Sequence, residues 1–437
     1  MFNFDFHWQI QNILLPYWTA INIGLLLILA VLIYLGFKRP NWANALVVAL
    51  LPTYLFRGHI GNIPFTYLEL ALLIIILIWL IRNFIWKELF KPNPYRYGLI
   101  AILTAGVVGT FIAPETLKAL GLFKAYLIEP ILFFLVLSTT SKTNEDKKLL
   151  LGGLGVSTIL ISTLAIWQKF SGFGIAEPIW QNPETRRVTS IFTSPNAVGL
   201  YLAPIVILYL GWLWQNYKNI QATILKLFII VPGVIAIIFT VSQGTWLGLA
   251  AAIVFLAYFG WNKKITIAGV TVIIIVALLM PASRHQLLPL LTFSDPAGQN
   301  RIMLWQGTID FLADSPKNFL LGGGIYSFYH VLDSFRDPLK LEPLIYPHNI
   351  ILNFWIDLGI LGLVAFTYIF VKFFQLSFKS ELLAKQKYIG LAVIAAMVTI
   401  LIHGLIDVPY FKNDLAVLFW VIVSLTINSR EKIPSVP

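Results

Sequence analysis

The feature that most constrains this chain is its repetition of apolar runs about 17 to 25 residues long, the length an α-helix needs to cross a bilayer. Such runs recur near 18–36, 42–57, 66–82, 97–113, 118–138, 149–169, 195–214, 223–241, 244–260, 265–281, 349–371, 388–406 and 414–428. Within lipid each backbone amide must find its partner inside the protein, so uninterrupted apolar runs predict helices rather than open strands. The expected fold class is all-α: a polytopic transmembrane helical bundle of about 12 to 13 spans, forming a single integral membrane domain over 1–437. The second run is short, and losing one span near the start would give twelve with both ends inside. Composition agrees, since 58% hydrophobic against 12% charged residues lies far from the balance of soluble domains. The opening "MFNFDFHWQIQNILLPYW" has neither the basic start nor the small-residue cleavage site of a signal peptide, and is expected to be retained.

A net charge of +11 suggests nucleic acid only until its distribution is read. Alternate connections are basic: "FKRPNW", "RNFIWKELFKPNPYR", "SKTNEDKK", "QNYKNIQATILK", "WNKK", "KFFQLSFKSELLAKQK" and "NSREK". By the positive-inside rule these face the cytoplasm, and no nucleic-acid partner is implied. The other connections then face outward, among them 170–194 and a long extracytoplasmic loop, 282–348, expected to contain short amphipathic helices. Cysteine is absent, which excludes disulfides and thiolate metal sites, and the six histidines show no HExxH spacing. Chemistry must rest on His, Arg, carboxylates and amides.

The outer segments hold the candidates. In "GQNRIMLWQGTIDFLADSP", Ile302, Trp305, Ile309 and Leu312 fall at helical spacing, with Asn300 as the expected N-cap. Arg301 in the first turn would then oppose the helix dipole. Either it joins the helix N-terminus in holding an anion, or it snorkels or pairs with a loop aspartate. The following "LLGGGIYSF" permits close backbone approach and lacks the spacing of a nucleotide P-loop. Arg186 and Arg187 stand a few residues before the helix start Pro195, Asn196, where they suit an anion or lipid headgroups. "TVSQGTWLGL" reads as a tight hairpin around Ser242, Gln243 and Gly244.

In "YPHNIILNFWIDLGILG", His348 and Asn349 begin a span at the outer surface. They are either a helix cap or a neutral imidazole free to take a proton, with Asn349 in support. In "HGLIDVPYFKND", His403 and Asp407 lie four apart, so a shared helix face would let the aspartate fix the imidazole tautomer. Glu69 and Glu129 are further ionisable groups in apolar runs, as neutral buried acids or as cavity residues.

Taken in order, "RRVTSIFTSPNAVGLYLAP", "SQGTWLGL", "NRIMLWQGTIDFLADSPKNFLLGGGIYSF", "YPHNIILNFWIDLGILG" and "HGLIDVPYFKND" resemble the O-antigen ligase family, whose members include polysaccharide polymerases and protein-glycosylating ligases. The resemblance covers roughly 180–425, and its most specific element is His348 and Asn349 followed by nine residues and then Gly359. It implies a metal-independent, inverting glycosyltransferase with no cofactor. Such an enzyme moves a glycan from undecaprenyl diphosphate to a glycan, lipid or protein acceptor at the outer face of the cytoplasmic membrane, among membrane lipids. The family's loop histidine maps to His348 and its loop arginine to Arg301 as catalytic residues. A further diphosphate-binding arginine corresponds to Arg186 or Arg187. Gln243 stands where the hairpin motif usually carries arginine, and offers hydrogen bonds instead of charge. His403 and Asp407 are expected in support. The competing class is a transporter or flippase of lipid-linked glycans, which should show polar residues through the middle of many spans and repeat-like halves.

Overall fold

The computed structural model describes residues 4–6, 18–60, 63–82, 93–279, 292–333 and 344–427. About four fifths of them are helical. In chain order the helices are α1 (Trp18–Lys38), α2 (Pro40–Ala49), α3 (Tyr67–Arg82), α4 (Arg96–Phe111), α5 (Thr116–Phe123), α6 (Glu129–Thr140), α7 (Asn144–Ser171), α8 (Pro195–Asn216) and α9 (Ile220–Thr240). They continue as α10 (Gln243–Gly260), α11 (Lys263–Leu279), α12 (Pro296–Asp314), α13 (Pro316–Leu321), α14 (Phe328–Asp333), α15 (Ile350–Phe378), α16 (Glu381–Lys385), α17 (Lys387–Gly404) and α18 (Asn413–Ser424). A π-turn, Lys124–Ile128, joins α5 to α6 without a break.

Among the described residues, eight helices are long and apolar enough to cross a membrane, and the chain is a multi-pass membrane protein on that ground. The remaining expected spans are shorter: α3 and α4 have 16 residues each, α11 has 17 and α18 has 12. The expected second span, 42–57, is not one helix. α2 stops after 10 residues, a 3-10 turn Leu51–Leu55 containing Pro52 follows, and the chain then becomes extended. Proline lacks the N–H that an α-helix interior needs, which accounts for the early stop. The extended chain forms a small sheet, a departure from the all-α expectation. β2 (Phe56–Ile60) lies between β1 (Phe4–Phe6) and β3 (Ile63–Thr66), antiparallel to both.

The long helix α8 packs against α17, α9 and α10 and buries most of its length. Small residues let these backbones approach, as is usual where lipid supplies no hydrophobic drive between helices. Gly199 of α8 lies against Thr245 of α10, and Gly211 against Tyr388 and Ala392 of α17. Peripheral helices turn apolar side chains outward instead, Leu27 of α1 and Ile273 of α11 among them.

The N-terminal part of α15 is shaped by Gly359. Its φ of 65° breaks the helical path, and a side chain there would run into the backbone of Leu320 and Leu321. Only glycine adopts that conformation without strain. The break frees the carbonyl of Ile356, which accepts from Gly323 N–H at 2.8 Å, while Ile325 N–H donates to Gly109 O of α4 at 3.0 Å. The glycine run 322–324 is therefore a strap wedged between α4 and α15, in keeping with the close approach its sequence allows. The segments 280–291 and 334–343 of the expected outer loop lie outside the described residues.

Candidate active site

The chain leaves α17 at Gly404 and re-enters a helix at Asn413, and the first residues of that connection act as an anchoring post. Asn349 Nδ2 donates to Leu405 O at 3.0 Å and Arg301 Nε to Ile406 O at 3.1 Å. Asp407 Oδ1 accepts from His348 Nδ1 at 3.3 Å and from Val408 N–H at 2.8 Å, and Asp407 Oδ2 accepts from Asn196 Nδ2 at 3.2 Å. Residues far apart in sequence thus converge on three consecutive positions. Burial by itself would raise the Asp407 carboxyl, but the hydrogen bond and charge of His348, then the charge of His403 and the Val408 amide, hold it below the usual carboxylate range. An ionised Asp407 can only accept, so His348 carries its proton on Nδ1 and presents Nε2 with a free lone pair.

His348 itself sits in a left-handed backbone conformation, φ 51°. For a residue other than glycine that is strained by roughly 1–3 kcal/mol, and it persists only where neighbours over-determine it. They do so here. Trp305 Nε1 donates to Pro347 O at 3.1 Å, the Tyr346 ring meets the imidazole edge-on at 5.0 Å, and Asn349 caps α15 by accepting from Ile351 and Leu352 N–H. Burial raises the Tyr346 hydroxyl above its ordinary value, with the Asp407 charge adding to the effect. The imidazole remains partly open, its side chain 20% exposed against 5% for Asp407. A strained, braced and accessible imidazole is an arrangement that plain helix capping by Asn349 does not require.

Two guanidiniums flank the pair. Arg187 Nε donates to Thr240 O at 2.8 Å and its Nη2 to Asn196 Oδ1 at 3.3 Å. Burial first, and the nearby Arg301 charge second, lower its proton affinity below the ordinary arginine value. Among the described residues no carboxylate forms an ion pair with Arg187 or Arg301. Two like charges near each other with no direct ion pair among the described residues suit an anionic ligand of more than one charge.

Arg186 does not join them. It is 9% exposed, and its guanidinium donates to Lys169 O, Phe170 O and Gln181 O at 3.0 to 3.1 Å, closing the C-terminal end of α7. Gln243 is exposed at the first position of α10, next to the left-handed Val241, in the tight hairpin expected there. Three further expectations need correcting. α12 begins at Pro296 with Asp295 as its N-cap residue, so Asn300 is not the cap and Arg301 lies beyond the first turn. Proline at the first helical position starts the helix a turn early. The buried face of α12 runs through Leu304, Thr308 and Leu312, while Ile309 is half exposed. And α17 ends before Asp407, so His403 and Asp407 share no helix face. Asp407 bonds His348, and the buried His403 packs against Gly244.

Sequence reasoning missed the direct His348–Asp407 pairing and the part of Asn196, which reads in sequence as a helix-start residue. Its nearest signal was the position of Asn196 just after the paired arginines. Glu69 and Glu129 lie elsewhere, sharing Lys124 at 3.5 and 3.8 Å, with Glu69 also held by Thr66 N–H and Asn413.

Comparison with curated proteins finds no match. Comparison with protein families matches residues 227–367, about a third of the chain, to the family described as O-antigen ligase. The matched stretch holds Gln243, Arg301, His348, Asn349 and Gly359, and it is to the O-antigen ligase family that the chain's resemblance is shown.

Proposed function

We propose that the protein is a membrane glycosyltransferase that moves a glycan from undecaprenyl diphosphate to an acceptor hydroxyl at the outer face of the cytoplasmic membrane, inverting the anomeric carbon. The observation that carries this reading is the His348–Asp407 pair set beside Arg187 and Arg301, two cations without a carboxylate partner among the described residues. The family match supports glycan transfer as the reaction class.

Nε2 of His348 takes the proton of the acceptor hydroxyl as its oxygen bonds to the anomeric carbon. The bond from that carbon to the diphosphate oxygen breaks, and the electron pair leaves with the lipid diphosphate. Asp407 keeps the imidazole in the tautomer that can accept and stabilises the imidazolium that forms, as the carboxylate does in a catalytic triad. Base catalysis of this kind contributes about 100- to 10,000-fold. Arg187 and Arg301 meet the charge that develops on the diphosphate, where each well-aimed donor is worth roughly 3–4 kcal/mol. A growing glycan as acceptor would make the protein a polymerase; a lipid or protein acceptor would make it a ligase.

The test is transfer by purified protein from an undecaprenyl-diphosphate-linked glycan to a panel of acceptors, with His348→Ala and Arg301→Ala alongside. Product and released lipid diphosphate, both lost in the variants, are expected. Donor binding without transfer to any acceptor would move the assignment to transport.

A further inference from the structure

We infer that Asn196 is a positioning residue that ties the anion-binding arginine to the base, holding Asp407, and through it His348, in register with Arg187. The inference rests on the glycosyltransferase reading above. Asparagine in the first turn of a helix usually serves the helix's own amides. In α8 that work falls to Ser194, whose Oγ accepts from Ala197 N–H at 3.3 Å, and the Asn196 side chain is left for the site. Its carboxamide spans two charged groups. Oδ1 accepts from Arg187 Nη2 at 3.3 Å, and Nδ2 donates to Asp407 Oδ2 at 3.2 Å.

The amide can sit in only one orientation. Turned over, it would aim N–H at a guanidinium and a carbonyl oxygen at a carboxylate, losing both bonds and facing like polarity at each end. Both bonds are to charged partners, which makes them the stronger kind. Asp407 has its other oxygen fixed by Val408 N–H and by His348, so Asn196 completes the set that stops the carboxylate from rotating. A carboxylate free to rotate would carry the imidazole with it, and Nε2 would leave the acceptor oxygen. Arg187, anchored on Thr240 O at 2.8 Å, fixes the far end of the amide. The chain Arg187, Asn196, Asp407, His348 thereby sets the spacing between leaving group and base.

The protein has six histidines, so a full-length sample with labelled histidine gives few proton resonances to assign. The Nδ1–H of His348, bonded to a carboxylate, should appear far downfield and vanish in His348→Gln. In Asn196→Ala it should move upfield, because the accepting carboxylate is loosened, while the other histidine signals keep their positions. Asn196→Asp retains the acceptor for Arg187 and the side-chain shape but sets a second carboxylate against Asp407, and should move the same resonance if the alanine variant does not fold. In the transfer assay, kcat should fall about ten- to a hundredfold with acceptor KM within about twofold, as expected for misplacement of a reacting group. A resonance that stays in place in both variants, or is missing from the wild type, overturns the inference. Wild-type protein that transfers nothing overturns the glycosyltransferase reading instead, and the resonance still decides the role of Asn196.

Discussion

Nδ1 of His348 lies 3.3 Å from Oδ1 of Asp407, joining the turn that opens α15 to the turn that follows α17. The imidazole is held there in a backbone conformation that L-residues avoid, and that combination sets the first expectation.

Replacing His348 separates chemistry from strain. His348→Ala and His348→Gly should both lose transfer by about 100-fold or more. The glycine variant should nevertheless unfold at higher temperature than the alanine variant, by an amount corresponding to about 1 kcal/mol, because only glycine accepts φ near 51° freely. Transfer assays and thermal unfolding of the purified protein check both. Equal stability of the two variants would mean that the backbone there is relaxed.

Asp407 makes stability depend on pH. Its folded carboxyl is held below its unfolded value, so it contributes stability at every pH above the unfolded value of about 3.9, and that contribution fades as pH falls towards the folded value. Wild-type protein should therefore lose thermal stability on acidification below about pH 4 more steeply than Asp407→Asn, which has no proton to take up at that position. Parallel melting curves for the two proteins over that range would refute the account.

Adjacent arginines should behave differently. Arg187→Ala should depress transfer while the protein stays folded, since the charge opposite the diphosphate is removed. Arg186→Ala should act on stability, losing about 1–3 kcal/mol because the carbonyls of Lys169 and Phe170 are left unmet at the end of α7. Transfer per folded molecule should remain near wild type. A measurement of activity and melting temperature on both variants distinguishes the roles, and loss of activity in folded Arg186→Ala would return that residue to the site.

Gln243→Arg should tighten donor binding. The side chain stands exposed at the N-terminal end of α10, three residues after the Thr240 carbonyl that anchors Arg187. A third guanidinium there should lower donor KM several-fold with little change in kcat, the signature of uniform binding. An unchanged donor KM would show that the lipid diphosphate does not reach this hairpin.

Much of this architecture is legible in the sequence because the bilayer leaves so few ways to satisfy a backbone. The helices α7 to α10, α15 and α17 follow directly from apolar run length, and the close approach of the glycine strap from residue type, whereas Gly359 stands out only through the family resemblance. Less was legible where several short-range signals competed. Pro52 and Pro296 moved helix boundaries that hydropathy alone placed elsewhere, which displaced the expected cap at Asn300 and the expected second span. The pairing of Asp407 was misread because its four-residue spacing from His403 presumed that the helix ran on. Which of two neighbouring arginines turned towards the site depended on tertiary packing, for which the local sequence offers no rule.

The anchoring post at 405–407 has a consequence for how the molecule comes into being. Asn196 and Asp407 are separated by 211 residues, and Asp407 lies beyond the matched region 227–367. A ribosome delivers Arg187 long before it delivers the carboxylate, with seven of the described helices longer than fifteen residues, α8 to α12, α15 and α17, in between. Until the connection after α17 has been made, His348 lacks the carboxylate it bonds and Asn196 the group it bridges to Arg187. On the function proposed above, the growing chain would be inert towards lipid-linked sugars and would become competent only once its last segments have been threaded.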